Sequence, residues 1–334
     1  MFYLYKLMFL ISMMIGTLIT ISSYSWMGMW MGLEINLLSI IPLFTNSKNM
    51  LNNESALKYF ITQAMASTIM LFSIIILSSN ILENWENNLN MIFNSSMFTK
   101  MGAAPFHFWF PEVMEGLNWN NCLLLLTWQK IAPMILIMYN NMTMFFSIII
   151  IFSMMISGIL GINQTSMRKI LAYSSINHIG WMISSMMFME TIWMIYFITY
   201  SIISINIIMI FKKFNLFYMK QIFTMLNNNN MLKMFFIMNF LSLGGLPPFL
   251  GFLPKWLTIQ LLIENNMIMI TTIMVIMTLF TLYFYMRITF STLMINMNEI
   301  NYNYSSKYYN WNLMLLNFLS LMGLLLVTFF FNFY

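Results

Sequence analysis

Residues 240–256 read FLSLGGLPPFLGFLPKW, an apolar run that glycines and prolines interrupt and that carries a charged side chain, Lys255, near its end. Residues 100–116 read KMGAAPFHFWFPEVMEG and share the pattern G-x-x-P-F-x-x-x-x-P with the first stretch. Proline removes a backbone donor from a helix, and a charge at bilayer depth costs at least ~3 kcal/mol. Both stretches therefore predict an interrupted membrane helix with a buried lysine that serves proton or ion movement.

The rest of the chain is as apolar as these two stretches. Of its 334 residues, 60% are hydrophobic and 7% are charged, and the mean hydropathy is +0.79. Apolar runs of about twenty residues recur from Phe2 to Phe333, which is the length of a membrane-crossing helix. We predict an all-α polytopic membrane protein without a soluble domain. Its predicted transmembrane helices, about eleven, cover roughly 2–23, 24–44, 57–80, 88–111, 119–140, 143–163, 168–188, 190–211, 232–264, 267–292 and 311–331.

The loop charges predict an orientation. If the chain changes side at each span, the side of the N-terminus receives all the basic loop residues: Lys6, Lys48, Lys58, Arg168, Lys169, Lys212, Lys213, Lys220, Lys233, Arg287 and Lys307. The other side receives Glu83, Glu86, Glu190 and Glu264 and no Lys or Arg. Because basic loops are retained on the inner side of a membrane, we expect the N-terminus inside and the C-terminus outside.

The two proline-containing stretches also predict an internal repeat. They lie in the fourth and ninth predicted spans, so the second copy would cross the membrane in the opposite direction, as in an inverted-topology repeat. We predict a single membrane domain, 1–334, in which 1–140 and 143–292 are two inverted five-helix repeats and 311–331 is an extra C-terminal helix. Chance similarity between Gly/Pro-rich segments is the alternative.

Prolines accompany each buried lysine. The groups are Lys100 with Pro105, Lys130 with Pro133, and Lys255 with Pro247, Pro248 and Pro254. A helical proline frees the carbonyl four residues earlier, here those of Met101, Gln129 and Gly244. Such gaps persist at membrane depth only where protein or water satisfies them, and carbonyls at the end of a half-helix attract cations. We therefore expect polar, hydratable sites around the lysines.

Four charged side chains in apolar stretches form the predicted proton pathway: Glu34, Lys100, Lys130 and Lys255. Desolvation disfavours the charged form of a buried lysine, and a nearby carboxylate favours it. Movement of Glu34 relative to Lys100 would thus load or release a proton, and two charges 4 Å apart interact by ~4 kcal/mol at an effective dielectric near 20. The alternatives are a static Glu34–Lys100 ion pair that fixes helix packing and a Lys255 side chain that reaches outward to the membrane surface.

Three further residues have open roles. His178, at the centre of the seventh predicted span, is either a proton relay between Lys130 and Lys255 or a hydrogen-bonded packing histidine. We expect His107 to be structural. We expect Glu112 to lie in a solvated loop and not in the pathway.

Composition also excludes several classes of site. Cys122 is the only cysteine, so no intrachain disulfide and no four-thiolate iron–sulfur site can form, and two histidines are too few for a bis-histidine two-haem bundle. The net charge of +5 is spread over short loops, which argues against a nucleic-acid partner and for membrane lipids. Abundant Met and the absence of Asp indicate A+T-rich coding, which is typical of an organelle-encoded protein.

Five stretches carry a resemblance to one family. They are MGLEINLLS (31–39), KMGAAPFHFWFPEVMEG (100–116), LTWQKIAP (126–133), AYSSINHIGWM (172–182) and FLSLGGLPPFLGFLPKW (240–256). In this order they closely resemble the mitochondrially encoded subunit 2 family of NADH:ubiquinone oxidoreductase, respiratory complex I, of an insect-like type. The resemblance implies that Glu34 and Lys100 are the central pair, Lys130 the middle relay and Lys255 the exit-side lysine. Bacterial relatives have fourteen spans, so contacts made by the three helices missing here cannot be carried over.

The resemblance implies a proton-translocating, antiporter-like core subunit of NADH:ubiquinone reductase. It would lie in the mitochondrial inner membrane, with the N-terminus in the matrix, the C-terminus in the intermembrane space and other membrane subunits as partners. The whole complex uses NADH, FMN, iron–sulfur clusters and ubiquinone, and we expect no cofactor, metal or redox centre in this chain. A free-standing cation/proton antiporter and a structural membrane spacer remain the alternatives.

Overall fold

The computed structural model describes residues 4–46, 49–79, 86–226 and 230–294, together with 317, 318 and 323. Over these residues the chain is helical, and the only extended pairing is a single bridge between Ser166 and Tyr218. Within the same residues, seven helical segments are long and apolar enough to cross a membrane. The protein is an all-helical membrane protein.

The chain divides into two compact units, Met1–Ser153 and Met154–Tyr334. The first unit contains α1 (Leu4–Ser22), α2 (Trp26–Phe44), α3 (Met50–Ser79), α4 (Glu86–Met101), α5 (Trp109–Gly116), α6 (Trp119–Leu126), α7 (Trp128–Tyr139) and the first part of α8 (Thr143–Ile162). The second contains the rest of α8, then α9 (Met167–Met186), α10 (Glu190–Phe214), α11 (Met219–Leu226), α12 (Asn230–Gly244), α13 (Phe252–Glu264) and α14 (Ile268–Met294).

In the first unit, glycines bring the backbones of α1 and α2 together. A Cβ atom on Gly16 would lie 2.9 Å from the backbone nitrogen of Asn36, and one on Gly32 would lie 2.8 Å from the backbone oxygen of Gly16. Membrane helices associate through such small residues because lipid supplies no hydrophobic drive between them. The contact fixes the position of α2, the helix that carries Glu34.

In the second unit, α9 is the central helix. Every residue from Ile170 to Met186 is buried, although this segment contains serines, an asparagine and a histidine. A helix that is covered on all sides lies in the protein interior and not against lipid. The position of α9 therefore places His178 deep inside the second unit.

Two non-helical segments separate pairs of helices. The first, 102–108, connects α4 to α5 and contains Pro105. The second, 245–251, connects α12 to α13 and contains Pro247 and Pro248. Proline cannot supply the backbone donor that would continue the first helix, so each helix ends before its prolines.

The helices that precede these segments end in the same way. Gly102 and Gly245 have φ angles of +74° and +80°, which glycine adopts without strain. The residue after each glycine donates a hydrogen bond to the carbonyl five residues earlier, from Ala103 to Phe98 at 3.0 Å and from Leu246 to Leu241 at 3.4 Å. This is the Schellman arrangement, which satisfies carbonyls at a helix end.

The interruption near Lys130 differs from the sequence expectation. The helix continues through Pro133, and the break lies instead at Thr127, between α6 and α7. The Thr127 hydroxyl donates to the Leu123 carbonyl at 2.7 Å. A proline clashes with the carbonyl four residues earlier, here that of Gln129, so the distortion falls on the N-terminal side of Pro133.

Helices occupy the first ten predicted spans, and the fourth, fifth and ninth contain the pairs α4/α5, α6/α7 and α12/α13. Helix α11 is absent from the predicted spans because its eight residues are too few to cross a bilayer. The eleventh predicted span, 311–331, lies outside the described residues except for 317, 318 and 323. The two units meet in sequence at Ser153, within α8, whereas the predicted repeats divide between 140 and 143.

Candidate functional site

In the first unit, helices α2, α3, α4 and α7 enclose a small cavity. Its volume open to the centre of a water molecule is ≈ 10 Å³, which is close to the space that one water needs. The lining residues are Leu33, Asn36, Leu37, Tyr59, Gln63, Lys100, Gln129 and Pro133. The cavity thus combines one ammonium group with amide and phenol groups, and two leucines and a proline complete its lining.

Lys100 lines this cavity from the last turn of α4 and is 8% exposed. Glu34, on α2, is half-buried and interacts electrostatically with Lys100, but no direct salt bridge joins these two described side chains. A change in their separation would change the energy of the charged lysine.

A chain of neutral hydrogen bonds crosses the cavity. The Tyr59 hydroxyl donates to Oε1 of Gln129 at 3.3 Å, and Nε2 of Gln129 donates to Oδ1 of Asn36 at 2.8 Å. Nε2 of Gln63 donates to the backbone carbonyl of Lys100 at 3.2 Å. Side chains of α2, α3 and α7 are therefore joined next to the Lys100 side chain.

Lys130 lies in the first turn of α7 and is 1% exposed, so it is buried more completely than Lys100. Its Nζ atom is 5.8 Å from the centroid of the Phe110 ring, within the range of a cation–π interaction. Gln129, its neighbour in the chain, lines the cavity. The first unit therefore brings Lys130 close to the Lys100 cavity along the backbone of α7.

In the second unit, Lys255 binds the carbonyls that the prolines leave without a helical donor. Its Nζ atom donates to the Leu243 carbonyl at 3.1 Å and to the Gly244 carbonyl at 2.9 Å. These residues lie four positions before Pro247 and Pro248. Lys255 is 7% exposed and points to the end of α12, so it does not adopt the outward-reaching alternative.

His178 belongs to the same region of the second unit. It is 4% exposed, its Nδ1 atom is 2.9 Å from the Tyr196 hydroxyl, and its ring centroid is 5.0 Å from that of Tyr200. Trp181 lies one helical turn further along α9, and Nζ of Lys255 is 5.9 Å from its ring centroid. A histidine, a tyrosine hydroxyl and a lysine thus lie around one stretch of α9.

The remaining predicted residues lie outside these clusters. Nζ of Lys58 is 2.9 Å from Oε2 of Glu112 and 3.0 Å from Oε1 of Glu54. The side chains of Glu112, Lys58 and Glu54 are 57%, 43% and 61% exposed. Glu112 is therefore in an exposed ion cluster outside the predicted pathway, but it lies in the first turn of α5 and not in the loop that we expected. His107 is 1% exposed, and its ring lies 4.4 Å from that of Phe108.

Metal-ligating side chains do not cluster in the described part of the chain. There, no group of three or more His, Cys, Asp or Glu residues could hold a metal ion. Cys122 is buried, and its Sγ atom lies 3.6 Å from the carbonyl oxygens of Met114 and Leu117.

Sequence reasoning does not single out four of the residues that shape the first site: Asn36, Tyr59, Gln63 and Gln129. A weak signal is present, because Tyr59 and Gln63 are four residues apart on one helix face and Gln129 precedes Lys130. Neutral polar residues also occur in membrane helices as packing groups. Only the contacts between α2, α3 and α7 select these four.

Comparison with known proteins gives consistent matches over most of the chain. The family model for "NADH:quinone oxidoreductase/Mrp antiporter, TM" matches residues 23–281. The chain is 52% identical over 328 residues to NADH-ubiquinone oxidoreductase chain 2 of Anopheles gambiae, and the match covers 96% of each chain. It is 54% identical over 327 residues to the chain 2 protein of Aedes aegypti, again with 96% of each chain covered.

Its fold is similar to that of a chain in respiratory complex I from Thermus thermophilus with bound aureothin. The TM-score is 0.85 at 20% sequence identity, and the match covers 97% of this chain and 78% of that chain. At this identity the likeness is one of fold.

Proposed function

Because the chain belongs to the NADH-ubiquinone oxidoreductase chain 2 family, within the NADH:quinone oxidoreductase/Mrp antiporter proteins, we propose that it is the antiporter-like, proton-translocating membrane subunit of a mitochondrial NADH:ubiquinone oxidoreductase. The observation that carries this proposal is the burial of Lys100, Lys130 and Lys255, with exposures of 8%, 1% and 7%. Buried ionisable groups in membrane helices are expensive and usually mark ion or proton routes.

The first proton-exchange site is the Glu34–Lys100 pair. The two groups interact through space without a direct salt bridge, so a movement of α2 or α4 that changes their separation changes the energy of the charged lysine. Approach of the carboxylate favours a protonated Lys100, and withdrawal favours release of the proton into the adjacent cavity. Quinone reduction elsewhere in the complex supplies the energy for this change.

Lys130 is the middle relay, and this order of transfer rests on the family resemblance. Its almost complete burial disfavours a permanent charge, while the Phe110 ring offers partial compensation when a proton is present. A lysine in such surroundings holds a proton transiently. That behaviour suits a relay better than a static anchor.

Lys255 and His178 form the exit-side part of the proposed pathway. A charged Lys255 is held by the Leu243 and Gly244 carbonyls, and a neutral amine would bind these carbonyls more weakly. The His178–Tyr196 contact supplies a second pair that can accept and donate protons near Lys255. The passage of protons from Lys130 to Lys255 is taken from the resemblance, and the place of His178 between them is our own hypothesis from its position in the chain.

We propose that 1–140 and 143–292 are two inverted five-helix repeats, with an extra helix at 311–331. The same 143-residue step separates Gly102 from Gly245, and the start of α5 from the start of α13. A step of 141 residues separates the start of α2 from that of α9, and Asn36 from Asn177. Nε2 of Gln129 donates to Oδ1 of Asn36, and Nδ2 of Asn177 donates to the Thr281 hydroxyl at 3.2 Å. Gln129 and Thr281 each lie on the last helix of their proposed repeat. The matching helix starts and hydrogen bonds favour a repeat over chance similarity.

We place the chain in the mitochondrial inner membrane, with about eleven spans, the N-terminus in the matrix and the C-terminus in the intermembrane space. Among the described residues, Arg168 and Lys169 begin α9, whereas Lys212 and Lys213 end α10, so the basic ends of both helices fall on one side under alternation. Glu83, Lys48 and Lys307, which contribute to the same assignment, lie outside the described residues.

Other membrane subunits of the complex are the proposed partners, together with lipid. The relatives and the solved complex I are multisubunit oxidoreductases by name, and many large apolar side chains of this chain are exposed along its helices. The complex as a whole uses NADH, FMN, iron–sulfur clusters and ubiquinone. We assign none of these to this chain, whose part in the enzyme is to move protons.

Two alternatives are separable from this proposal. A free-standing cation/proton antiporter would purify and transport alone, whereas the proposed subunit acts within a large complex. A structural spacer would need its charges only for assembly. The absence of a direct Glu34–Lys100 salt bridge between these described residues disfavours the spacer, because charges that bind helices together are expected in contact.

Lys130→Met tests the proposal, because methionine keeps the length of the side chain and removes its titrating group. In inner-membrane vesicles we expect an assembled complex whose proton pumping and NADH oxidation are strongly reduced. Lys58→Met, at an exposed lysine of the same unit, is the matched control and should leave both rates unchanged. Normal pumping by an assembled Lys130→Met complex would refute the proposal.

A further inference from the structure

We propose that Gln129 is a gating residue, which closes the Lys100 cavity against Lys130 when its side chain is hydrogen-bonded as in this structure. The inference rests on the proposed function and concerns a residue that carries no charge. Gln129 is the cavity-lining residue directly before Lys130 in α7. Its side chain is bound to groups of α2 and α3, one residue before the proposed relay lysine.

Both ends of the Gln129 amide are held by other helices. Oε1 accepts from the hydroxyl of Tyr59 on α3 at 3.3 Å, and Nε2 donates to Oδ1 of Asn36 on α2 at 2.8 Å. Asn36 and Tyr59 are each 3% exposed. Gln129 itself is half-buried. An amide with both ends bound keeps one orientation, because turning it would break two hydrogen bonds.

Because an amide does not accept and release protons near neutral pH, this arrangement blocks proton transfer through Gln129. A carboxyl, imidazole, hydroxyl or water can accept one proton and release another, whereas an amide has no group that titrates near neutral pH. The adjacent cavity has room for about one water. In the proposed gate, a proton that leaves Lys100 reaches Lys130 after Gln129 turns aside and further water enters.

The backbone under Gln129 is built to permit that movement. The break between α6 and α7 lies at Thr127, two residues before Gln129, and Pro133 withholds the amide that would normally bind the Gln129 carbonyl. The turn that carries Gln129 and Lys130 is therefore less restrained than an ordinary helical turn. Movement of this one turn would shift the gate and the relay lysine together.

Two substitutions at Gln129 should have different effects on coupling. Gln129→Leu removes both hydrogen bonds and leaves an apolar plug, so we expect slower NADH oxidation and pumping with protons per NADH retained. Gln129→Glu keeps the size but adds a titratable group, so we expect NADH oxidation to continue while protons per NADH fall and become dependent on pH. Both are measured in inner-membrane vesicles over a pH series.

The matched control is Asn121→Leu, which removes a half-buried amide of the same unit that donates to the Leu43 carbonyl at 3.0 Å and does not line the cavity. It should leave coupling and its pH profile unchanged. Tyr59→Phe removes a single oxygen and frees one end of the Gln129 amide, so it should lower protons per NADH in a complex that still assembles.

The outcomes separate the gate from the underlying function. If Lys130→Met abolishes pumping while both Gln129 variants behave alike or like the unchanged protein, the gate is refuted and the proton pathway stands. If Lys130→Met pumps normally, the proposed function itself fails. If neither Gln129 variant assembles and Tyr59→Phe couples normally, Gln129 has only a packing role and the inference is overturned.

Discussion

The three buried lysines have different surroundings, and each surrounding suits a different step. Lys100 faces a cavity with an acid nearby, Lys130 faces an aromatic ring, and Lys255 binds two backbone carbonyls. Lys100 can respond to a moving carboxylate. The surroundings of Lys130 destabilise a permanent positive charge, whereas those of Lys255 stabilise it. Because the three sites differ in their affinity for a proton, a change at Lys100 that is driven by quinone reduction would move protons in one direction along them.

The Lys100→Met variant tests the first of these sites. We expect reduced pumping and NADH turnover in an assembled complex, because the apolar side chain fills the same space but cannot hold a proton. Turnover in inner-membrane vesicles and the amount of assembled complex are measured side by side. Lys58→Met again serves as the exposed control. A variant that fails to assemble, with no separate loss of activity in what does assemble, would favour a static role for the Glu34–Lys100 pair.

At this scale the charged residues could be predicted from sequence, but their neutral neighbours could not. Glu34 and the lysines stand out because a charge in an apolar stretch has few explanations. The Lys255 contacts also follow from sequence, since Pro247 and Pro248 leave the carbonyls of Leu243 and Gly244 without donors. The residues around the cavity depend on which helices meet, and periodicity carries no such information.

At the scale of helices, the segment 245–251 acts as one unit with Lys255. Gly245 has a φ angle of +80°, and a Cβ atom there would lie 2.7 Å from Cδ of Lys255 and 3.0 Å from its Nζ. The glycine is thus required twice, once for the backbone angle and once for the space that the lysine fills. The end of α12 and the position of the ammonium group are set by the same residue.

Gly245→Ala should therefore displace Lys255 and lower proton pumping. The left-handed angle alone costs an alanine about 1–2 kcal/mol, and the added methyl group meets the lysine side chain. Gly244→Ala is the matched control, because its new Cβ would have no neighbour closer than 3.8 Å and alanine is the better helix former. We expect normal pumping from the second variant. Equal pumping by the two variants would contradict the coupling of the glycine to Lys255.

The helix breaks show where sequence reasoning stops at this scale. Pro105, Pro247 and Pro248 lie in non-helical segments, but Pro133 lies inside a continuous helix whose break precedes it at Thr127. A single proline distorts the turn before it, and the chain can concentrate that distortion at any nearby residue. In the other two segments, a glycine with a positive φ angle ends the helix at a defined residue.

At the scale of the whole molecule, the charges at helix ends indicate how the chain is oriented in the membrane. Helix α10 begins with Glu190 and ends with Lys212 and Lys213, and its 25 residues exceed the roughly 20 that a bilayer requires. Its two ends therefore report on opposite sides of the membrane. The proposed orientation places the acidic end in the intermembrane space and the basic end in the matrix.

Cysteine labelling at the two ends of α10 tests that orientation directly. Glu190 and Lys212 are both exposed, so a cysteine at either position should react without unfolding the protein, and the one native cysteine, Cys122, is buried. In mitochondria stripped of the outer membrane, an impermeant maleimide should label the Glu190→Cys variant and spare the Lys212→Cys variant. In inverted inner-membrane vesicles the pattern should reverse, because the reagent then reaches only the matrix face.

Detergent provides the control, since both variants should label once the membrane is removed. Reaction of Lys212→Cys from the intermembrane side would overturn the orientation, and with it the direction in which protons would travel from the Glu34–Lys100 pair to Lys255.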